Sequence, residues 1–164
     1  MYWRTGCHTA RYGDGVNDIT TGGRVMRATP DGVISVLAEG RCGYVGGLYH
    51  DETHVYWTEN ATIERVPLAG GSPTVHTQEL IGGAAWDLSG DDDWIYAVAA
   101  SGPCGFIFKI PKTGGSLVPL AGQQHGPNRI AVDGSHVDWL NLGLYDQASA
   151  SLVGGSLRRA PKSP

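Results

Sequence analysis

The densest gathering of reactive side chains lies between Arg4 and Gly23, which encloses Cys7, His8, Arg11, Tyr12, Asp14 and Asp18. Two chemistries are open to such a set. A thiol beside an imidazole can work as a nucleophile with its base, and thiol, imidazole and carboxylate together can hold a transition metal. The spacing serves neither well. No second histidine falls nearby, and Cys7, His8 and Asp14 lack the three- or four-residue repeat of a helical ligand pair. A long ordered loop in a compact domain is often a binding loop, so His8, Arg11 and Tyr12 are read as candidate contacts for a ligand. A surface insertion without a task is the alternative.

A second set comprises Tyr44, His125, Asn128 and Arg129, each just before or at the start of a short apolar segment. They too are candidate binding residues. A catalytic centre draws polar groups from several elements onto one point, and only one of three comparable segments here offers strong hydrogen-bonding groups, so contact is favoured over bond-making. Asp91–Asp92–Asp93 presents the hard oxygens that suit calcium. Aspartate is also a common turn former, and the turn reading takes precedence. The cysteines, Cys7, Cys42 and Cys104, are odd in number and lack the close pairs of a structural zinc site. They read as small buried residues or free thiols, with a Cys7–Cys42 disulfide as the alternative in an exported form.

The elements that must carry these groups are set by repetition. Val55–Tyr56–Trp57 is matched by Met1–Tyr2–Trp3, Ile95–Tyr96–Ala97 and Val137–Asp138–Trp139. After each comes an alternating segment with a basic residue in third place, Arg27, Arg65, Lys109 or Arg159. These bases are expected to pair with acids of neighbouring repeats. Three of the segments then turn, at Asp31–Gly32, Gly70–Gly71 and Gly114–Gly115, into a further short strand. Before three of the aromatic copies lies another strand, closed by an acidic turn at Asp51, Asp91 or Asp133. One unit is thus four short strands in roughly 40 residues, the pattern of a β-propeller blade. The copies fall at about residues 1–40, 41–79, 80–123 and 124–164 of a single repeat domain. No sustained helical period appears, and the connections are too short for crossover helices. The class is all-β, with antiparallel four-stranded blades, about four of them and some partial.

Composition agrees. With 25 glycines and 9 prolines in 164 residues, the chain is punctuated into many short elements. A net charge of −4 supplies no basic footprint for nucleic acid. No apolar run is long enough to span a bilayer as a helix, and Met1–Tyr2–Trp3–Arg4 leads into a polar stretch in place of a signal-peptide core.

Val55–Tyr56–Trp57–Thr58–Glu59 with Ile63–Glu64–Arg65–Val66–Pro67 resembles the YWTD-type repeat of β-propellers. Ile130–Ala131–Val132–Asp133 and Ile110–Pro111–Lys112–Thr113–Gly114–Gly115 are similar to parts of NHL-like bacterial propeller repeats. The resemblance spans nearly the whole chain except residues 5–23 and 142–154. It implies a propeller, and similar propellers are often exported or cell-envelope proteins. Ala97 and Asp138 depart from the pattern, and their blades are expected to pack less tightly. The first blade lacks its inner strand and the fourth its outer one, so open edges are expected to drive self-association.

Three functional expectations follow. The first is a non-catalytic binding module whose two inserts meet a protein, peptide or glycan around a central channel. Streptogramin lyases and lactonases carry similar repeats, so the resemblance also admits a propeller enzyme of the lyase or lactonase type. The last is a piece of a longer propeller without activity of its own.

Overall fold

A computed structural model describes residues 1–5, 8–11, 18–21, 23–41, 46–77, 83–101 and 104–162. Every regular element among them is a strand. The first blade holds β1 (Tyr2–Thr5), from which a hairpin of β2 (His8–Arg11) and β3 (Asp18–Thr21) departs, then β4 (Gly23–Ala28) and β5 (Ile34–Arg41). The second is β6 (Leu48–His50), β7 (His54–Glu59), β8 (Thr62–Pro67) and β9 (Thr74–Thr77). The third is β10 (Ala84–Gly90), β11 (Trp94–Ser101), β12 (Cys104–Pro111) and β13 (Val118–His125). The fourth is β14 (Pro127–Val132), β15 (His136–Asn141) and β18 (Ser156–Pro161), with the hairpin β16 (Leu144–Asp146) and β17 (Ser151–Val153) inserted before β18. All pairings are antiparallel, in sequential meanders once the two hairpins are set aside. The protein is an all-β, propeller-type stack of blades.

Register explains how one short motif builds a two-faced sheet. Val55 pairs with Val66 while Tyr56 pairs with Arg65, so alternate pairs face opposite neighbours. Val55, Trp57 and Val66 pack on Val25, Leu37 and Ala38 of the first blade. Tyr56 and Ile63 pack the other way, on Ala85, Leu88, Ile95, Ala97, Phe108 and Ile110 of the third. The third blade repeats the arrangement, with Tyr96, Val98 and Ile107 against Ile130, Val137 and Trp139 of the fourth. Because both faces are covered, β7 is buried almost throughout and shows no polar alternation. Each fully buried aliphatic side chain of this kind contributes about 1.5–3 kcal/mol of transfer free energy.

The recurrent aromatics are interblade packing: Tyr56, Trp57, Tyr96 and Trp139 are all buried. The expectation of loose packing at Ala97 is corrected. Ala97 is wholly buried, in one cluster with Phe108, its partner across the strand pair, and Ile110. Near the axis, Gly46 and Gly47 let the second blade approach the third. A Cβ on Gly47 would overlap the backbone of Asp87 and Leu88, and one on Gly46 the carbonyls of Ala85 and Trp86.

Candidate functional site: the rim between the third and fourth blades

The turn ahead of each aromatic strand is built by one carboxylate. Asp51 Oδ1 accepts hydrogen bonds from the Thr53 and His54 amides at 2.7 and 2.8 Å. Asp91 does the same with Asp93 and Trp94, and Asp133 with Ser135 and His136. These are Asx turns, which is why aspartate recurs. The second oxygen of the first two faces the next blade. Lys112 Nζ lies 2.9 Å from Asp51 Oδ2, and Lys162 Nζ lies 2.7 Å from Asp91 Oδ2. Tyr56 and Tyr96 hydroxyls donate to the same two oxygens. Burial pushes both carboxyls up, but the lysine and amide hydrogen bonds outweigh it and hold them below the ordinary range. The calcium reading of Asp91–Asp92–Asp93 therefore meets, at Asp91, oxygens already engaged by an ammonium, a hydroxyl and two amides. Among the described residues no group of three or more His, Cys, Asp or Glu is arranged to hold a metal ion.

The recurring base has a different partner from the one expected. Arg27 Nη1 donates to the Leu68 carbonyl at 3.0 Å, Arg65 Nη1 to that of Lys112 at 3.2 Å, and Lys109 Nζ to that of Lys162 at 2.7 Å. Each reaches a backbone oxygen of the following blade in place of an acid. Arg159 alone among the four pairs with carboxylates, Asp138 at 2.6 and 2.8 Å and Asp133 at 3.6 Å, all in its own blade.

The opposite end of the blades carries the inserts. The second insert is tied down by its backbone: Leu142 N donates to Gly126 O at 2.8 Å and Gly143 N to His125 O at 3.0 Å. Gly143 has φ of 93°, and a Cβ there would strike the Val153 carbonyl, so only glycine allows the hairpin to fold back so closely. Gln123 takes a positive φ of 53°, and its neighbour Gln124 accepts from Trp139 Nε1 at 2.9 Å and Asn141 Nδ2 at 3.0 Å. That bond locks the end of β13 onto the fourth blade. Between hairpin and blades opens a cavity of about 330 Å³, lined by Trp86, Ala100, Pro127, Asn128, Leu142, Leu144, Tyr145 and Leu152. Its walls are mostly apolar, and the polar side-chain groups among the lining residues are those of Asn128, Tyr145 and Trp86. Leu144, Tyr145 and Leu152 are exposed at its edge.

Of the residues expected from sequence, Asn128 lines this cavity. His125 stands exposed beside the connection that ties the hairpin, and Arg129 is exposed with its Nη1 donating to the Asn128 carbonyl. Arg129 also lies close enough to favour the charge on Asp87. His8 and Arg11 fall on β2, paired in register with Thr21 and Asp18. Tyr12 and Tyr44 lie outside the described residues, as do Cys7 and Cys42, while Cys104 is a free, exposed thiol. Sequence reasoning missed Trp86 and the apolar residues of the hairpin. Their signal was present as Leu142, Leu144, Tyr145, Leu152 and Val153 within an insert, where polar residues would be ordinary. It also missed Asp87, whose Oδ2 accepts the Ile130 amide at 3.0 Å and links the inner strands of the third and fourth blades. Burial raises its carboxyl above the usual range, against the opposing pull of that amide.

No protein-family model and no curated protein matches the chain. Solved structures do. A chain of a nidogen/laminin complex superposes with a TM-score of 0.63 at 16% identity, over 87% of this chain and 59% of that one. A luciferin-regenerating enzyme matches with 0.60 at 14% identity, over 96% of this chain and 61% of that one. A gluconolactonase-type structure matches with 0.62 at 16% identity, over 92% of this chain and 49% of that one. The chain therefore spans between about half and three fifths of each neighbour's length. At these identities the likeness concerns the fold, a β-propeller.

Proposed function

We propose that the protein is a non-catalytic binding module that takes an apolar side chain of a protein or peptide partner into the rim cavity between its third and fourth blades. The observation that carries this reading is the cavity's character. It is concave, walled by Trp86, Pro127, Leu142 and Leu152, and edged by the exposed Leu144 and Tyr145. Such a site suits an apolar anchor residue, with Asn128 available to orient it. A glycan would need more polar groups than the walls offer. One structural neighbour belongs to a protein complex, which is a precedent for a propeller fold meeting a protein.

A second reading is an enzyme of the lyase or lactonase type. Two neighbours are described as a regenerating enzyme and a gluconolactonase, and His125 and Arg129 stand near the same rim. A third, a piece of a longer propeller without its own activity, draws on the share of each neighbour that the chain spans.

Selection of displayed linear peptides on the full chain separates them. The binding reading expects recovered peptides to share an aromatic or large aliphatic anchor, and Tyr145→Asp to weaken them at least tenfold while Glu52→Gln leaves them unchanged. Turnover of lactone or lyase substrates that is abolished by His125→Ala would establish the enzyme instead. Neither peptides nor turnover would leave the inactive piece.

A further inference from the structure

Three blade-to-blade interfaces in this chain follow one rule, and the fourth blade carries half of a fourth interface. On the face each blade turns to the next, one equivalent position of strand three is aliphatic and buried: Val25 at 2% exposure, Ile63 at 0% and Ile107 at 0%. Two places on in strand three stands the base that donates to a carbonyl of the following blade, Arg27, Arg65 or Lys109. In the fourth blade these places hold Leu157 and Arg159, in the same register with β15, since Leu157 pairs with Leu140 and Arg159 with Asp138. Leu157 is 70% exposed, Leu140 45%, and Arg159 folds back onto Asp138 and Asp133. Asp133 likewise repeats the turn that in Asp51 and Asp91 receives a lysine from the next blade.

The complementary half lies at the other end of the stack. On the face each blade turns to the preceding one, the first residue of the aromatic motif is fully buried in three copies, Val55, Ile95 and Val137 at 0%. Its counterpart in the first blade is Met1, which pairs with Ala28 as Val55 pairs with Val66, and is 86% exposed. Ile34 and Val36, in register with Ala28 and Met26, extend this apolar face and are 61% and 42% exposed.

We infer that a second copy of this chain covers the open face of the fourth blade with the open face of its first blade, joining chains head to tail. The surface follows the rule of the three interfaces inside the chain: an aliphatic patch meets an aliphatic patch, and Arg159 is placed to release Asp138 and donate to the partner copy's backbone after its strand three, as Arg65 does to Lys112. Such a heterologous contact closes when each copy supplies both halves, giving a ring of two. Covering the two faces also removes exposed aliphatic surface that would otherwise mark an aggregation site.

The test is light scattering on the full chain after size exclusion at tens of micromolar. Twice the 17.4 kDa chain mass is expected. Leu157→Asp and Ile34→Asp, both at exposed positions, should each give the single-chain mass with an unchanged circular dichroism spectrum. An equimolar mixture of the two should restore a two-chain species, because each contributes the face that the other has lost. A single-chain mass for the parent, or two-chain species surviving in Leu157→Asp, would overturn the inference. So would failure of the mixture to form any two-chain species, since one of the two head-to-tail contacts in the mixed pair carries neither substitution.

Discussion

Asp51 and Asp91 each spend one oxygen on closing their own turn and the other on a lysine of the next blade, so a single carboxylate links local structure to packing. Both are mostly shielded from solvent, where charge-assisted hydrogen bonds count for more than on an open surface. Their carboxyls are held below the ordinary value, so they bind fewer protons folded than unfolded near pH 4. The stability they contribute is complete above the unfolded value near 3.8 and drains away as pH falls through the folded one. Asp91→Asn should therefore lower the unfolding free energy at pH 7 by about 1–3 kcal/mol, with the deficit against the parent shrinking below pH 4. Urea titrations at pH 7 and pH 3 measure both. A pH-independent deficit would mean that the side chain acts through its shape alone. The turn was legible in the sequence because aspartate ahead of a strand has a local cause. The lysine partners were not, since Lys112 and Lys162 sit 61 and 71 residues from Asp51 and Asp91 and nothing local marks them.

Blades were easier to read than the strands within them. Strands buried on both faces lose the polar alternation that normally identifies them, and here repetition of an aromatic motif replaced it. The same repetition misled at Ala97, which packs in one cluster with Phe108 across the pair, a contact invisible without register. The rim cavity was half legible. Its insert was marked by length and Asn128 by position, but Trp86 joins them only because β10 and the hairpin meet over the β13–β14 connection. Equivalent places in successive blades give an internal comparison of packing. Ile107→Ala, which empties a fully buried site between blades, should cost about 2–5 kcal/mol. Leu157→Ala, the same place in the fourth blade, should stay within about 0.5 kcal/mol at concentrations where the chain is single. Denaturant melts of the pair decide it, and equal costs would mean that the fourth blade's face is already packed.

At the scale of the molecule, each blade completes its neighbour: apolar residues alternate between two interfaces, and a base and an acid reach across to fix the spacing. The binding reading and the head-to-tail reading use opposite sides of the fourth blade's architecture, the rim hairpin and the open sheet face, so either can fail without the other. The order of blades follows from the repeats, whereas the open face of the last one is marked by the exposure of Leu157 and Leu140, which depends on the folded chain. The most direct measurement of the claim that blades complete one another is hydrogen exchange on the full chain at low and high concentration. Amides of β18 and of β4 and β5 are expected to gain protection as concentration rises, while those of β7 and β12, covered within one chain, do not change. Exchange that is the same in every strand at both concentrations would contradict that claim.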